Sequence, residues 1–181
     1  MSLDYSLAAN QVLQKFYLAD QIDKLHLSLV SLLETVNQGE MELMLEQTPK
    51  TLREKVGYVK KVMEQVQSEE LRMKLLEILD SGDLEFFDSK HFPDFLHAMQ
   101  RRAEAIRVIK ITVAIEFKDK DLHQMVSTLS TQLGRPVALE VTVDPTLIGG
   151  VIVRYGNYIT DYSLRTRFTQ FRSDWKQMSK Q

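Results

Sequence analysis

The sequence predicts a mainly α protein with a small α/β part. An N-terminal bundle of five or six helices, residues 1–107, precedes a small mixed β-sheet domain with two helices, residues 108–181. Two observations carry this. Apolar residues recur at steps of three and four up to about residue 107, which is the period of an amphipathic helix. Near residue 108 the period drops to two, the alternation of a half-buried strand.

The helical part is read from its stripes and its breaks. Ile22, Leu25, Leu29, Leu33 and Val36 form one stripe, with Leu27, Val30 and Leu32 lying off it. Val56, Val59, Met63 and Val66 form the next, then Leu71, Leu75, Ile78 and Leu79, then Phe92, Phe95, Leu96, Met99, Ala103 and Ile106. Asn37-Gln38-Gly39, Thr48-Pro49 and Ser81-Gly82-Asp83 punctuate them. Thr51 followed by Glu54 has the spacing of a capping box, which Ser68 followed by Leu71 lacks.

In the second part IKITVAIEF places Ile109, Ile111, Val113, Ile115 and Phe117 on one face of a strand. Asp119 and Asp121 are capping candidates for a helix carrying Leu122, Met125, Val126, Leu129 and Leu133, which Gly134-Arg135-Pro136 stops. VALEVTV is the next strand, parallel to the first because a helix joins them. VIVRY and Tyr158–Thr160 form a hairpin across Gly156-Asn157. Asp161 or Ser163 caps a last helix bearing Leu164, Phe168, Phe171 and Trp175.

Composition excludes several function classes. Of 181 residues, 44% are hydrophobic and 27% charged, enough apolar material for a core. The net charge of −2 is unlike that of a general nucleic-acid binder. No cysteine is present, so disulfides and thiol chemistry are excluded. The longest apolar run is far short of the roughly 20 residues that span a bilayer. The start, MSLDYSLAANQ, is neither a secretory signal nor an Arg-rich transit peptide. His26, His91, His97 and His123 have no metal-ligand spacing, and nothing assembles a nucleophile, a base and an oxyanion hole. Catalytic, cofactor and metal residues are therefore expected to be none.

The most distinctive stretch is VDPTLIGGVIVRYGNYITD, residues 143–161, which places two of the chain's 7 glycines side by side. It is followed by β-branched residues rather than a helix, so a phosphate loop does not fit. A structural use does: the glycines allow unusual backbone angles or a close approach where the next strand begins.

This stretch, with Asp161-Tyr162-Ser163-Leu164-Arg165, resembles the C-terminal signature of the delta subunit of F-type ATP synthases. The mitochondrial counterpart of that family is the oligomycin-sensitivity-conferring protein. The matching residues are Asp144, Pro145, Gly149, Gly150, Arg154, Gly156, Asp161, Ser163 and Arg165. Thr146 stands where the family commonly has serine, and Tyr162 where it commonly has glycine. The resemblance implies a non-catalytic stator subunit of a proton-translocating synthase, peripheral on the cytoplasmic face of an energy-coupling membrane. Its implied partners are the N-terminal segments of the alpha subunits and the C-terminal end of b-type stalk subunits, with no nucleic acid and with membrane contact only through partners. Candidate partner contacts are Val12, Phe16, Leu75 and Leu79 in the helical part, and Leu147, Ile148 and Phe168 in the second part. A soluble two-domain adaptor of another complex is the alternative reading.

Overall fold

The computed structural model describes residues 5–47 and 49–178. Thr48 of the expected Thr48-Pro49 boundary, and the first four residues of the N-terminal reading, lie outside the described residues. The chain forms two compact units. One comprises Met1–Phe16 and Asp20–Ala105; the other comprises Tyr17–Ala19 and Ile106–Gln181. A division at 107/108 therefore has no place for Tyr17–Ala19, which leave the first unit between two of its helices.

The first unit is helical: α1 (Tyr5–Leu13), α2 (Ala19–Asn37), α3 (Glu40–Glu42), α4 (Leu52–Glu64), α5 (Glu69–Asp80) and α6 (His91–Ala103). A π turn at Leu43–Gln47 follows α3, and a 3-10 turn at Leu84–Phe87 precedes α6. The Thr51–Glu54 capping box is present in both directions at the start of α4. Ser68 caps α5 without a reciprocal partner: its hydroxyl accepts from the Leu71 amide at 3.2 Å. Buried Ser28 is satisfied twice over, donating to the Lys24 carbonyl at 2.7 Å and accepting from the Ser68 amide at 2.9 Å. A buried hydroxyl with both roles filled avoids the desolvation cost of an unpaired one.

The buried apolar line of α2 is Ile22, Leu25, Leu29 and Leu32, whereas Leu33 and Val36 of the predicted line are only half-buried. Leu27 and Val30 are exposed instead. The core is closed by an aromatic group. Phe86 packs edge-on to Phe95 at 5.3 Å and to Phe87 at 5.4 Å, and Phe87 lies 5.2 Å from Phe92. Edge-to-face pairs at these separations add to what burial alone supplies.

The second unit is a four-stranded mixed sheet of order β2-β1-β3-β4. Strands β1 (Arg107–Val113) and β2 (Val137–Val143) are parallel, joined through α7 (Asp119–Leu133). Strand β3 (Val151–Tyr155) runs antiparallel to β1, and β4 (Tyr158–Asp161) returns beside β3. Ile109, Ile111, Val113, Val137 and Leu139 share one face with Leu122, and Met125, Val126 and Leu129 of α7 pack against them. Lys110 and Glu140 pair on the opposite face at 2.8 Å.

Two expectations are corrected here. Ile115 is not part of the first strand: β1 ends at Val113, whose carbonyl accepts from the Asp144 amide at 2.7 Å, and Ile115 is exposed. Strand β2 ends at Val143, so no ladder partner extends to Ile115. Asp119 and Asp121 do not cap α7. The cap position is Lys118, which makes no side-chain bond, and both carboxylates sit in the first turn, where they favour the positive end of the helix dipole.

The segment Tyr17–Ala19 adds an isolated bridge beside the sheet. Leu18 bridges Leu139 in parallel, the Leu139 amide donates to the Tyr17 carbonyl at 2.8 Å, and the Tyr17 ring lies 3.9 Å from that of His123. Strand β2 is thereby paired at Leu139 on the side away from β1. Even one such contact interrupts the row of free backbone groups that an edge strand offers to another chain.

Candidate partner-docking surface

The residues after β2 fold into one hydrogen-bonded node. Asp144 accepts through Oδ1 from the Thr146 amide at 2.9 Å and from its hydroxyl at 2.7 Å. That contact turns the chain into a 3-10 turn, Pro145–Leu147, for which proline at the first position presets φ. Leu147 is fully buried there. Ile148, the next residue, has φ 68° and is 65% exposed.

Across from this turn lies the junction between β4 and α8 (Leu164–Met178). Asp161 accepts from the Ser163 amide and from the Thr166 hydroxyl, each at 2.7 Å. The buried Ser163 hydroxyl accepts from the Thr166 amide at 3.3 Å, so it caps α8. Arg165 ties the two sides together by donating from Nη1 to the Thr146 hydroxyl at 2.9 Å.

The double glycine is the crossing point. The Gly149 carbonyl accepts from the Leu164 amide, and the Val151 carbonyl from the Tyr162 amide, both at 2.9 Å. A Cβ on Gly150 would meet the Tyr162 carbonyl oxygen at 2.2 Å, and φ there is 82°. A Cβ on Gly149 would meet only the Leu164 side chain, at 2.8 Å. Backbone passes directly against backbone, which only glycine permits.

Asp144, Pro145, Gly149, Gly150, Asp161, Ser163 and Arg165 thus converge. Arg154 and Gly156 do not. Arg154 lies exposed in β3 opposite Lys110, and Gly156, with φ 57°, makes the β3–β4 turn. Hydrogen bonds from the Thr146 side chain and then its amide hold the Asp144 carboxyl below its ordinary range. Those from Ser163 and then the Thr166 side chain do the same for Asp161. Arg165 reinforces both. The carboxylates are committed to local donors, so the node fixes where α8 starts rather than presenting reactive groups.

The candidate contacts divide by burial. Val12, Phe16, Leu75, Leu79 and Leu147 are core side chains with at most 4% exposure, so they present no surface. Ile148 and Phe168 are exposed. They belong to a larger set that includes Leu164, Phe171, Trp175 and Met178, and α8 has no buried residue among those described. In the first unit the exposed apolar positions include Leu27, Val30, Leu52 and Met73. The alternating four-and-three spacing of the α8 set is readable in the sequence; its exposure is not.

Among the described residues no three His, Asp or Glu side chains gather as a metal site. A cleft of the first unit has Glu46, Lys55, Asp88 and Ser89 in its wall, but these groups serve local structure. Lys55 donates to the Leu45 carbonyl and the Ser89 amide to Glu46. Asp88 accepts from the His91 amide and ring.

A family model described as ATP synthase delta (OSCP) subunit matches residues 4–174, across both units. The chain belongs to this family. It is similar to ATP synthase subunit delta of Cupriavidus taiwanensis, with 30% identity over 106 residues, 59% of this chain and 58% of that protein. It is also similar to ATP synthase subunit delta of Bradyrhizobium sp. strain BTAi1, with 40% identity over 67 residues, 37% of this chain and 36% of that protein. The chain thus spans 58% and 36% of the length of these relatives. A chain of the Toxoplasma gondii mitochondrial ATP synthase hexamer is 15% identical over 94% of both chains, with a TM-score of 0.37, too low to carry a structural inference.

Proposed function

We propose that the protein is a peripheral-stalk subunit of a proton-translocating F-type ATP synthase. It works by binding and has no chemistry of its own. The helical unit holds N-terminal segments of alpha subunits of the catalytic head. The sheet unit holds the C-terminal end of b-type stalk subunits, and together they resist rotor torque. The family match over residues 4–174 carries this reading, because it includes both units. The hydrogen-bonded node that anchors α8, and the exposed apolar side chains beyond it, support a binding role. No described helix is long and apolar enough to cross a membrane, so attachment on this reading runs through partners at the cytoplasmic face of an energy-coupling membrane.

Calorimetric titration tests it. The full chain is mixed with the alpha-subunit N-terminal segment, and separately with the soluble C-terminal segment of the b-type subunit, both from the same organism. Saturable binding of both is expected. A folded chain that binds neither overturns the stalk function and leaves an adaptor of another complex.

A further inference from the structure

We infer that the outer edge of β4 is a self-association site, to which a second copy of this chain adds its own β4 antiparallel, about a two-fold axis at Thr160. The inference does not depend on the stalk reading.

Strand β4 is an outer strand of the sheet, and among the described residues no strand pairs with its far side. Every residue from Tyr158 to Tyr162 is exposed. The ladder to β3 fixes which backbone groups are free. The Tyr162 amide donates to the Val151 carbonyl at 2.9 Å, so Tyr162 turns its backbone groups toward β3. Backbone direction alternates along an antiparallel strand. Thr160 and Tyr158, opposite Val153 and Tyr155, therefore also turn inward. The backbone groups of Ile159 and Asp161 point outward. Such a row is a template for another strand.

The sequence selects the occupant. Tyr158-Ile159-Thr160-Asp161-Tyr162 has the pattern Tyr-x-Thr-x-Tyr in either direction. Antiparallel pairing centred on Thr160 sets Ile159 against Asp161 of the second copy. The outward groups of that pair exchange both N–H···O bonds, and the axis repeats them. The positions between are non-hydrogen-bonded pairs, in which side chains lie closest. These are Thr160 with Thr160, and Tyr158 with Tyr162, all on one face. That face also carries Val153 and Tyr155 of β3, which pack against the core of the sheet unit. Threonine pairs and aromatic pairs across strands stabilise a sheet.

Charge agrees with this register. On the other face, Arg154 stands opposite Lys110 in β1 and opposite Ile159 in β4. Lys110 is paired with Glu140, and Arg154 has no ion pair among the described residues. In the paired state the same row runs from Arg154 through Ile159 to Asp161 of the second copy, which brings a carboxylate toward the guanidinium. No like charges stand directly opposite one another. The edge is short, so the dimer is a weak one.

Sedimentation of the full chain over a wide concentration range tests this. The wild-type chain should pass reversibly from monomer to dimer as concentration rises. Thr160→Lys and Thr160→Glu each set like charges face to face at the axis, and each should weaken the dimer at least tenfold while circular dichroism shows the fold intact. Mixed in equal amounts, the two variants should associate at least tenfold more tightly than either alone, because residue 160 meets only residue 160. Ile159→Pro removes an outward donor that β3 does not use, and should also weaken the dimer at least tenfold. A wild-type chain that stays monomeric throughout overturns the inference. So does a dimer that the folded variants leave unchanged, or one that mixing the two charged variants fails to restore.

Discussion

Gly150 sits so close to Tyr162 that a single added carbon would lie 2.2 Å from the Tyr162 carbonyl oxygen. The contact is with backbone, which cannot rotate away. The positive φ at Gly150 adds a second penalty for any other residue. Gly150→Ala should therefore lower the unfolding free energy read from a urea titration by about 3 kcal/mol or more, as strained or overpacked positions do. Gly156 has a positive φ but open space around it. Gly156→Ala should cost only the backbone term, about 1–2 kcal/mol, and the comparison separates close approach from conformation.

Acid should loosen the node. Asp144 and Asp161 have folded-state pKa values below the ordinary 3.8. A depressed carboxylate contributes stability that is complete above its unfolded pKa and is lost as pH falls through the folded value. The melting temperature should thus decline as pH drops below about 4. Asp161→Asn should be less stable than wild type at pH 7, and the two should converge at the acid end. Thermal scans from pH 7 to 2 read this out; parallel curves would show that Asp161 contributes nothing by its charge.

Leu75 is fully buried and Leu52 is 69% exposed. Leu75→Ala should cost about 2–5 kcal/mol, the usual range for a leucine deleted from a packed core. Leu52→Ala should stay within about 0.5 kcal/mol. Any loss of partner binding in Leu75→Ala should track the loss of folded protein, which circular dichroism follows alongside calorimetry.

The Leu139 amide donates to the Tyr17 carbonyl, outside the β1–β2 ladder. In the full chain it should exchange slowly with solvent. A fragment beginning at Ile106 lacks that acceptor. Its Leu139 amide should exchange at least tenfold faster, since local opening then needs no strand to detach, and its bare β2 edge should promote self-association. Hydrogen exchange followed by NMR decides it.

The regular elements were readable because burial imposes a period. Ile109, Ile111 and Val113 alternate because one face of β1 meets α7, and Gly156-Asn157 marks the hairpin because that turn needs positive φ. Ile115 continued the alternation beyond the point where β2 can pair with it, so pattern alone overran the strand. Tyr17–Ala19 is too short to show any period, and its pairing depends on a strand about 120 residues later. The convergence of Asp144 and Arg165 was visible as a motif but not as a node, because threonine, whose hydroxyl joins them at Thr146, is a common surface residue. The left-handed Ile148 ran against the preference of β-branched residues, which no propensity scale anticipates.

The placement of Tyr17–Ala19 has a consequence for inheritance. The sheet unit is not encoded by one uninterrupted stretch of gene, because Tyr17–Ala19 belong to it and the helical unit's residues 20–105 lie in between. A recombination event close to codon 106 would deliver a sheet without its Leu18–Leu139 bridge and leave a helical unit carrying the Tyr17–Ala19 segment. Neither product could be grafted onto a new neighbour without repair, so the two halves of this chain are expected to travel through evolution together.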